Sequence, residues 1–151
     1  MNLNNLIEVL KNLKDEKTKG ITFISAGNDD FLSYNELYKE ALKFISILNK
    51  KGIEPNDELV FQVDDNRSFL ISFWGCILAG VIPVPVKVGS KDEERMKLIK
   101  IWNTLKNPYL LTKKSVIDNM EKFGKENDKE KIVSIMRKKA LLLSQYNGNE
   151  K

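Results

Sequence analysis

The chain has 151 residues, of which 42% are hydrophobic and 30% are charged, a composition that suits one globular domain with a filled core. It contains no histidine and a single cysteine, which excludes Ser-His-Asp and Cys-His catalysis and the usual His/Cys metal centres. The net charge of +4 arises from basic residues interleaved with acidic ones, a pattern typical of solvated helix faces. A small basic nucleic-acid-binding protein is therefore a weaker alternative, and we expect no nucleic-acid partner.

The cellular compartment can be inferred from the N-terminus and from Cys76. The first residues lack the basic region and the apolar run of a secretory signal. Cys76 lies within an apolar segment, where a thiol usually behaves as a small buried hydrophobe. A single cysteine without a pairing partner also fits a reducing compartment. We therefore expect a cytoplasmic protein.

The first part of the chain predicts a helix, a β-hairpin and a second helix. Apolar residues at helical spacing predict a helix over residues 2–13. An alternating segment over residues 21–25 and the pair Phe31-Leu32 flank a turn sequence, which predicts the hairpin. Ser33 and Glu36 then match the capping-box pattern that opens a helix.

A stretch without any charged residue, Phe69–Val86, follows a predicted strand over Glu58–Val63. The uncharged stretch does not predict a membrane span, because Gly80 and the prolines after it interrupt the helix. Instead it predicts a buried helix over Ser68–Ala79 that ends at Gly80 in the left-handed conformation. The predicted strand over Val81–Val86 contains two prolines, which favour an edge or an end of the sheet.

The remaining sequence predicts three helices and further short strands. Ser90 and Glu93 match the capping-box pattern at the start of the first helix, and Pro108 marks a stop beyond its end. The elements that follow are a strand over 109–112, helices over about 115–123 and 128–138 separated by Gly124, and a strand or the end of the last helix over 140–143. Residues 147–151 are predicted to be a disordered tail.

The alternation of helices and strands predicts an α/β fold. We expect a partial doubly wound, mostly parallel sheet with crossover helices and an N-terminal β-hairpin. Residues 1–146 are predicted to form one domain, followed by the tail over residues 147–151. We expect Trp74, on the central apolar helix, to lie in the core.

Ligands of open parallel sheets bind beyond the carboxyl ends of the strands, so those ends are the candidate sites. Asp64 and Asp65 follow the strand that ends at Val63, and they are best interpreted as helix-capping residues. The segment Lys87–Lys91 contains Gly89, a serine and two lysines that could hold an anion at a helix N-terminus, although a structural turn is the stronger interpretation. No catalytic, cofactor-binding or metal-binding residue is assigned on these grounds.

Three segments resemble motifs of a known enzyme family. Leu32–Leu37 resembles the L-[ST]-Y-x-E-L motif of adenylate-forming ligases, the AMP-dependent synthetase family. This family includes acyl-CoA synthetases, fatty acyl-AMP ligases and the adenylation domains of nonribosomal peptide synthetases. Ile77–Pro85 resembles the second motif of the family, written around Leu-Lys-Ala-Gly and ending in proline. Gly52–Asp57, between these two segments, is similar to the G-[IV]-x-P-G-D turn of the family.

The sequence departs from the family pattern at two positions. Leu78 stands where lysine is usual, and Asn56 stands where glycine is usual. Both positions are expected to be structural rather than catalytic. The residues around Trp74-Gly75-Cys76 and around Pro83-Val84-Pro85 resemble the sequences of fatty acyl-AMP ligases and synthetase loading modules in particular.

The resemblance implies a reaction in which a carboxylate attacks ATP to give acyl-AMP and pyrophosphate, and the acyl group then passes to a thiol. It implies ATP and Mg for a full-length parent, with an acyl or amino acid substrate and CoA or a carrier protein as thiol acceptor. The glycine-rich phosphate loop of the family does not occur in these 151 residues. We therefore expect an N-terminal fragment that partners the remainder of its own polypeptide, binds no cofactor and is inactive alone. The alternative is a stand-alone, non-catalytic binding or regulatory module built on the same subdomain.

Overall fold

The structure, a computed structural model, describes residues 5–145 of the chain. In chain order the elements are α1 (Leu6–Asn12), β1 (Gly20–Phe23), β2 (Asp30–Ser33), α2 (Tyr34–Lys51), β3 (Glu58–Gln62), α3 (Asn66–Ala79), β4 (Ile82–Pro85), α4 (Asp92–Thr104), β5 (Pro108–Thr112), α5 (Lys114–Glu126), α6 (Glu130–Lys138), β6 (Ala140–Leu142) and a short 3-10 helix (Leu143–Gln145). The predicted start of the first helix and the predicted tail over residues 147–151 lie outside the described residues.

Four strands form one parallel sheet in the order β4-β3-β5-β6. Glu58 of β3 is opposite both Ile82 of β4 and Pro108 of β5, and Leu110 is opposite Ala140. β1 and β2 pair separately as an antiparallel hairpin. The predicted α/β fold, with a parallel sheet and an N-terminal hairpin, is confirmed. The proline-containing strand β4 lies at an edge, as predicted, and residues 140–142 form a strand.

Helices cover both faces of the sheet. Alternate residues of each strand point to opposite faces, so each strand contributes side chains to the core on both sides. Leu59 and Phe61 pack with α2 and α3 in a buried cluster that includes Phe44, Leu48 and Cys76. Val60, between them, joins a second buried cluster formed with α4, α5 and α6. The result is three layers, helix, sheet and helix, which accounts for the uninterrupted apolar run in β3.

The hairpin and α1 attach to the outer side of α2 and α3 through a third buried cluster. Leu10, Leu32 and Leu37 form it, and Trp74 and Leu78 of α3 pack against it while remaining partly exposed. The expectation that Trp74 lies in the core therefore needs correction, since it lies at the margin of this smaller cluster. The second tryptophan, Trp102, is the one buried in the core.

The predicted capping box of α2 is confirmed. Ser33 Oγ accepts a hydrogen bond from the Glu36 backbone N–H at 3.1 Å, and Glu36 Oε2 accepts from the Ser33 N–H at 2.9 Å. The helix ends at Gly52, whose φ of 79° is left-handed. Local sequence signals are sufficient to define this helix at both ends.

Gly124 does not separate two helices, contrary to the sequence-based expectation. α5 continues through it to Glu126, and Asp128, with a φ of 60°, lies in the turn before α6. A Cβ on Gly124 would lie 3.1 Å from Val133 Cγ2 and 3.2 Å from the Lys129 carbonyl oxygen. Glycine at this position leaves room for the close approach of α5 and α6 and does not mark a helix end. None of the helices described over residues 5–145 has the length and apolarity needed to cross a bilayer.

Candidate functional site

The carboxyl edge of the parallel sheet is the place where ligands bind in folds of this kind. Three loops meet there, one after each of the strands β3, β4 and β5. The candidate residues of the sequence analysis, Asp64 and Asp65 in the first loop and the Lys87–Lys91 turn in the second, both lie at this edge. The sheet therefore brings together the residues that the sequence singled out.

The first and third loops are joined by an ion pair. Lys113 Nζ, directly after β5, donates a hydrogen bond to Asp64 Oδ1, directly beyond β3. This hydrogen bond lowers the pKa of the Asp64 carboxyl group below its usual value. Asp65 accepts from the Ser68 backbone N–H at 2.8 Å and caps α3, which confirms its structural interpretation. Both carboxylates are therefore engaged by neighbouring groups.

Gln62, the last residue of β3, ties the second loop to the sheet. Its side chain is buried, with 3% of the residue exposed. Its amide Nε2 donates to the Val86 carbonyl oxygen at 2.8 Å and to the Lys87 carbonyl oxygen at 3.2 Å. Sequence reasoning missed this role, although a polar residue ending an apolar strand was the available signal.

The Lys87–Lys91 turn is closed by a carboxylate of the protein itself. Glu94 Oε2 accepts from the backbone N–H groups of Ser90 at 2.9 Å and of Lys91 at 3.2 Å. Its Oε1 accepts from Lys87 Nζ at 3.1 Å. The hydrogen bond from Lys87, followed by those from the two backbone N–H groups, lowers the pKa of Glu94 to about 2. The backbone N–H groups of Ser90 and Lys91 and the ammonium group of Lys87 are therefore engaged by Glu94.

The start of α4 therefore differs from the prediction. The N-cap residue is Lys91 rather than Ser90, and the carboxylate that reaches back is Glu94 rather than Glu93. Gly89 permits this arrangement, since a Cβ there would lie only 2.4 Å from the Cβ of Glu94. The turn is thus held by a carboxylate of α4, in a register shifted by one residue from the predicted one.

Between this turn and α5 there is a small cavity of about 50 Å³. Gln62, Gly89, Glu94 and Asn119 are among the residues that line it. Ligand pockets for small molecules generally have volumes of roughly 300–1,000 Å³. The cavity is therefore too small for a nucleotide or an acyl-adenylate.

Cys76 and the acidic side chains do not form a reactive or metal-binding centre in the described region. Cys76 is fully buried, and burial raises the pKa of its thiol to about 12. This confirms the interpretation of Cys76 as a core residue. Over residues 5–145 there is no group of three His, Cys, Asp or Glu side chains that could hold a metal ion.

The family-like segments lie at junctions between secondary-structure elements. Leu32–Leu37 spans the end of β2 and the start of α2, and Ile77–Pro85 spans the end of α3 and β4. Asn56 has a φ of 73°, which explains why glycine suits this position. Its backbone N–H donates to the Gly80 carbonyl oxygen at 2.9 Å, which links the turn to the second segment. Leu78 packs on the cluster that holds the hairpin, so an apolar residue fits there.

Comparison with known proteins identifies the family. A sequence model of the AMP-binding enzyme family matches residues 13–149, which is most of the chain. The chain therefore belongs to the AMP-binding enzyme family.

Two curated relatives illustrate the range of similar proteins. The human protein named Disco-interacting protein 2 homolog B is 39% identical over 66 residues, which cover 38% of this chain and 4% of the relative. The nonribosomal peptide synthetase acyN of Ascocoryne sarcoides is 29% identical over 120 residues, which cover 74% of this chain and 13% of the relative.

Two solved structures share the fold. The structure of McyG A-PCP complexed with phenylalanyl-adenylate superposes with a TM-score of 0.80 and 29% identity, over 99% of this chain and 24% of that one. A fatty acid AMP ligase from Legionella pneumophila superposes with a TM-score of 0.71 and 22% identity, over 78% of this chain and 21% of that one. Nonribosomal adenylation domains and fatty acyl-AMP ligases are thus both structural neighbours, in agreement with the motif resemblance. The chain spans about a quarter of the length of these structures.

Proposed function

We propose that this chain is the N-terminal part of an acyl- or aminoacyl-adenylating ligase. Such an enzyme joins ATP and a carboxylate into acyl-AMP, releases pyrophosphate and passes the acyl group to a thiol. The observation that carries the proposal is the superposition of nearly the whole chain, 99% of it, on a structure that contains an aminoacyl-adenylate. The thiol acceptor, CoA or a carrier protein, and a cytoplasmic location belong to the same proposal.

In this proposal the chain supplies a scaffold. The three loops at the carboxyl edge are bonded to one another or to the sheet, through Lys113 and Asp64, through Gln62, and through Glu94. These residues do not suit the triphosphate of ATP, because the backbone N–H groups of Ser90 and Lys91 already bind a carboxylate of the protein. The phosphate groups, magnesium and the acyl group would be held by other parts of a longer polypeptide, and the 151-residue chain alone would form no adenylate.

The reading frame of the gene and an exchange assay test this proposal together. We expect the frame to remain open beyond codon 151 and to encode a glycine-rich phosphate loop. The encoded polypeptide should catalyse acid-dependent exchange of pyrophosphate into ATP with at least one member of a panel of fatty and amino acids. The 151-residue chain, purified in parallel, is the matched control and should be silent.

Two results would contradict the proposal. A stop codon after residue 151 would favour a stand-alone binding or regulatory module, for which the two-sided core over residues 5–145 would suffice. The second result would be a longer polypeptide that carries the phosphate loop but shows no pyrophosphate exchange with any acid of the panel. Such a protein would have the family fold without the proposed activity.

A further inference from the structure

The buried side chain of Gln62 has one polar atom without a hydrogen-bond partner in the described part of the chain. Its amide Nε2 is fixed in direction, because it donates to the carbonyl oxygens of Val86 at 2.8 Å and of Lys87 at 3.2 Å. The amide oxygen Oε1 is therefore directed away from these carbonyl groups. Among residues 5–145, no donor forms a hydrogen bond to this oxygen.

Water has access to Gln62 Oε1, although the residue is buried. Over residues 5–145, every buried side-chain nitrogen or oxygen atom that water cannot reach has a hydrogen-bond partner. Oε1 has no such partner, so it is not one of the atoms closed to water. Gln62 lines the small cavity of about 50 Å³ between the Lys87–Lys91 turn and α5, and this cavity is where a water molecule can meet it.

The charges around this cavity favour a neutral ligand over an ion. Glu94 and Arg95 both line it. Glu94 is ionised at neutral pH, because hydrogen bonds from Lys87 and from two backbone N–H groups lower its pKa to about 2. An anion in the cavity would be repelled by the carboxylate, and a cation would be repelled by the guanidinium group. The volume of about 50 Å³ exceeds the roughly 10–15 Å³ that one water molecule needs.

A water molecule in the cavity has both acceptors and a donor available. A carboxylate accepts about four hydrogen bonds, and Glu94 already accepts those from one lysine and two backbone N–H groups. One acceptor position of Glu94 therefore remains, together with Gln62 Oε1, for the two protons of a water molecule. The side-chain amide of Asn119, which also lines the cavity, offers a donor. A buried water typically makes about three hydrogen bonds, which matches this set of groups.

We propose that this cavity is a hydration site, in which a long-lived water molecule donates to Gln62 Oε1 and to the Glu94 carboxylate and accepts from the Asn119 amide. The water links the end of β3 to α4 and α5 at the carboxyl edge of the sheet. It thereby adds a third connection to the Lys87–Lys91 turn, which Gln62 and Glu94 already hold by direct hydrogen bonds. This hydration site is independent of the proposed function, because all of its groups lie within the 151-residue chain.

Nuclear Overhauser effects between water and methionine methyl groups test the proposal in the 151-residue chain. The spectra are recorded in the laboratory and rotating frames, which separates direct contact from proton exchange. Met120 lines the cavity and is buried, so its methyl group should show a direct cross-peak to water. Met136 is the matched control and should show none, because it is buried in the same cluster but does not line the cavity.

Two valine variants locate the water. Val116→Ile adds a methyl group to the wall of the cavity and should abolish the Met120 cross-peak. Val84→Ile adds the same group against the same core but outside the cavity, and it should retain the cross-peak. Circular dichroism of each variant checks that it is folded, and the comparison of Met120 with Met136 in the parent chain stands without either variant.

Three outcomes would overturn the proposal. Absence of a cross-peak at Met120 in the parent chain would show that the cavity is dry. Cross-peaks of equal intensity at Met120 and Met136 would show that solvent enters the core by general opening rather than occupying one site. An unchanged Met120 cross-peak in folded Val116→Ile would place the water outside this cavity. None of these outcomes bears on pyrophosphate exchange, so the hydration site and the proposed ligase can fail separately.

Discussion

Helices α3 and α4 leave the same edge of the sheet from neighbouring strands, yet they are fixed in different ways. α3 is capped by Asp65, the residue directly before it, and ends at Gly80 with a φ of 71°. α4 begins after Lys91, whose side chain makes no capping hydrogen bond, and is tied to its turn by Glu94 from within the helix. The first helix is nearly uncharged, whereas the second begins with three acidic residues.

The comparison shows where short-range sequence signals are sufficient. A cap followed by an apolar helix and a left-handed glycine defines α3 without reference to the rest of the chain. In α4 the adjacent residues Glu93 and Glu94 both offer a carboxylate at about the right spacing. Glu94, the third residue of the helix after the N-cap Lys91, is the one that engages the turn, and it also accepts from Lys87, seven residues earlier.

The largest expected difference between the two helices concerns their tryptophans. Trp102→Ala should lower the free energy of unfolding by about 3–5 kcal/mol, because Trp102 of α4 is 4% exposed in the main core. Trp74→Ala should cost clearly less, since Trp74 of α3 is only partly buried. Urea unfolding of the 151-residue chain followed by circular dichroism measures both. Equal losses would contradict the assignment of Trp102 to the core and Trp74 to its margin.

A smaller loss is expected at the C-terminal end of α3. Gly80→Val should destabilise the fold by about 2 kcal/mol, because a β-branched residue is strained at the left-handed φ of 71°. Gly80→Asn is the matched control and should cost less, since asparagine tolerates this conformation. The same denaturation assay applies, and two variants as stable as the parent chain would show that Gly80 is not required.

The N-terminal cap of α3 should contribute less again. Asp65→Ala removes the acceptor of the Ser68 N–H and should cost about 1 kcal/mol. Asp65→Asn keeps an acceptor oxygen and should retain most of the stability. Thermal and urea unfolding of both variants can be compared directly. A loss in Asp65→Asn as large as that in Asp65→Ala would show that the charge, not the cap, matters.

The smallest effect is expected at the start of α4, and it depends on pH. Because the folded pKa of Glu94 is about 2, below the ordinary value of 4.5, its ionised carboxylate stabilises the fold above about pH 4.5. This contribution is lost as the pH falls through about 2. The stability difference between the parent chain and Glu94→Gln should therefore be largest near neutral pH and shrink as the pH falls below 4.5.

Glu93→Gln provides the matched control, because it removes a carboxylate one position earlier on the same helix. Urea midpoints measured from pH 7 to pH 2.5 would show whether the difference converges only for Glu94→Gln. A difference that stays constant over this range would contradict the ionised contact between Glu94 and the turn.

The fold was predictable to the extent that it depends on local signals. The capping box of Ser33 and Glu36, the left-handed Gly80 and the edge position of β4 all follow from residue chemistry at short range. The errors occurred where tertiary contacts decide. Gly124 lies inside α5 at a close approach to Val133 and not at a helix end.

The position of the candidate site was predictable from the sequence, but the ion pair and hydrogen bonds within it were not. Parallel strands bring the loops after β3, β4 and β5 to one edge, so the location of Asp64 and of the Lys87–Lys91 turn followed from topology. The pairing of Asp64 with Lys113 joins residues 49 positions apart, and short-range patterns carry no information about it. The burial of Gln62 against the second loop likewise depends on how β3 and β4 align.

The most direct test of the proposed role is a calorimetric titration with ATP and magnesium. The 151-residue chain should give no binding heat, because Glu94 engages Lys87 and the backbone N–H groups of Ser90 and Lys91, and the cavity beside the turn has a volume of about 50 Å³. The polypeptide encoded by the complete gene should bind ATP under the same conditions. Micromolar binding by the 151-residue chain, or none by the complete polypeptide, would contradict the account of this chain as the scaffold of a larger adenylating enzyme.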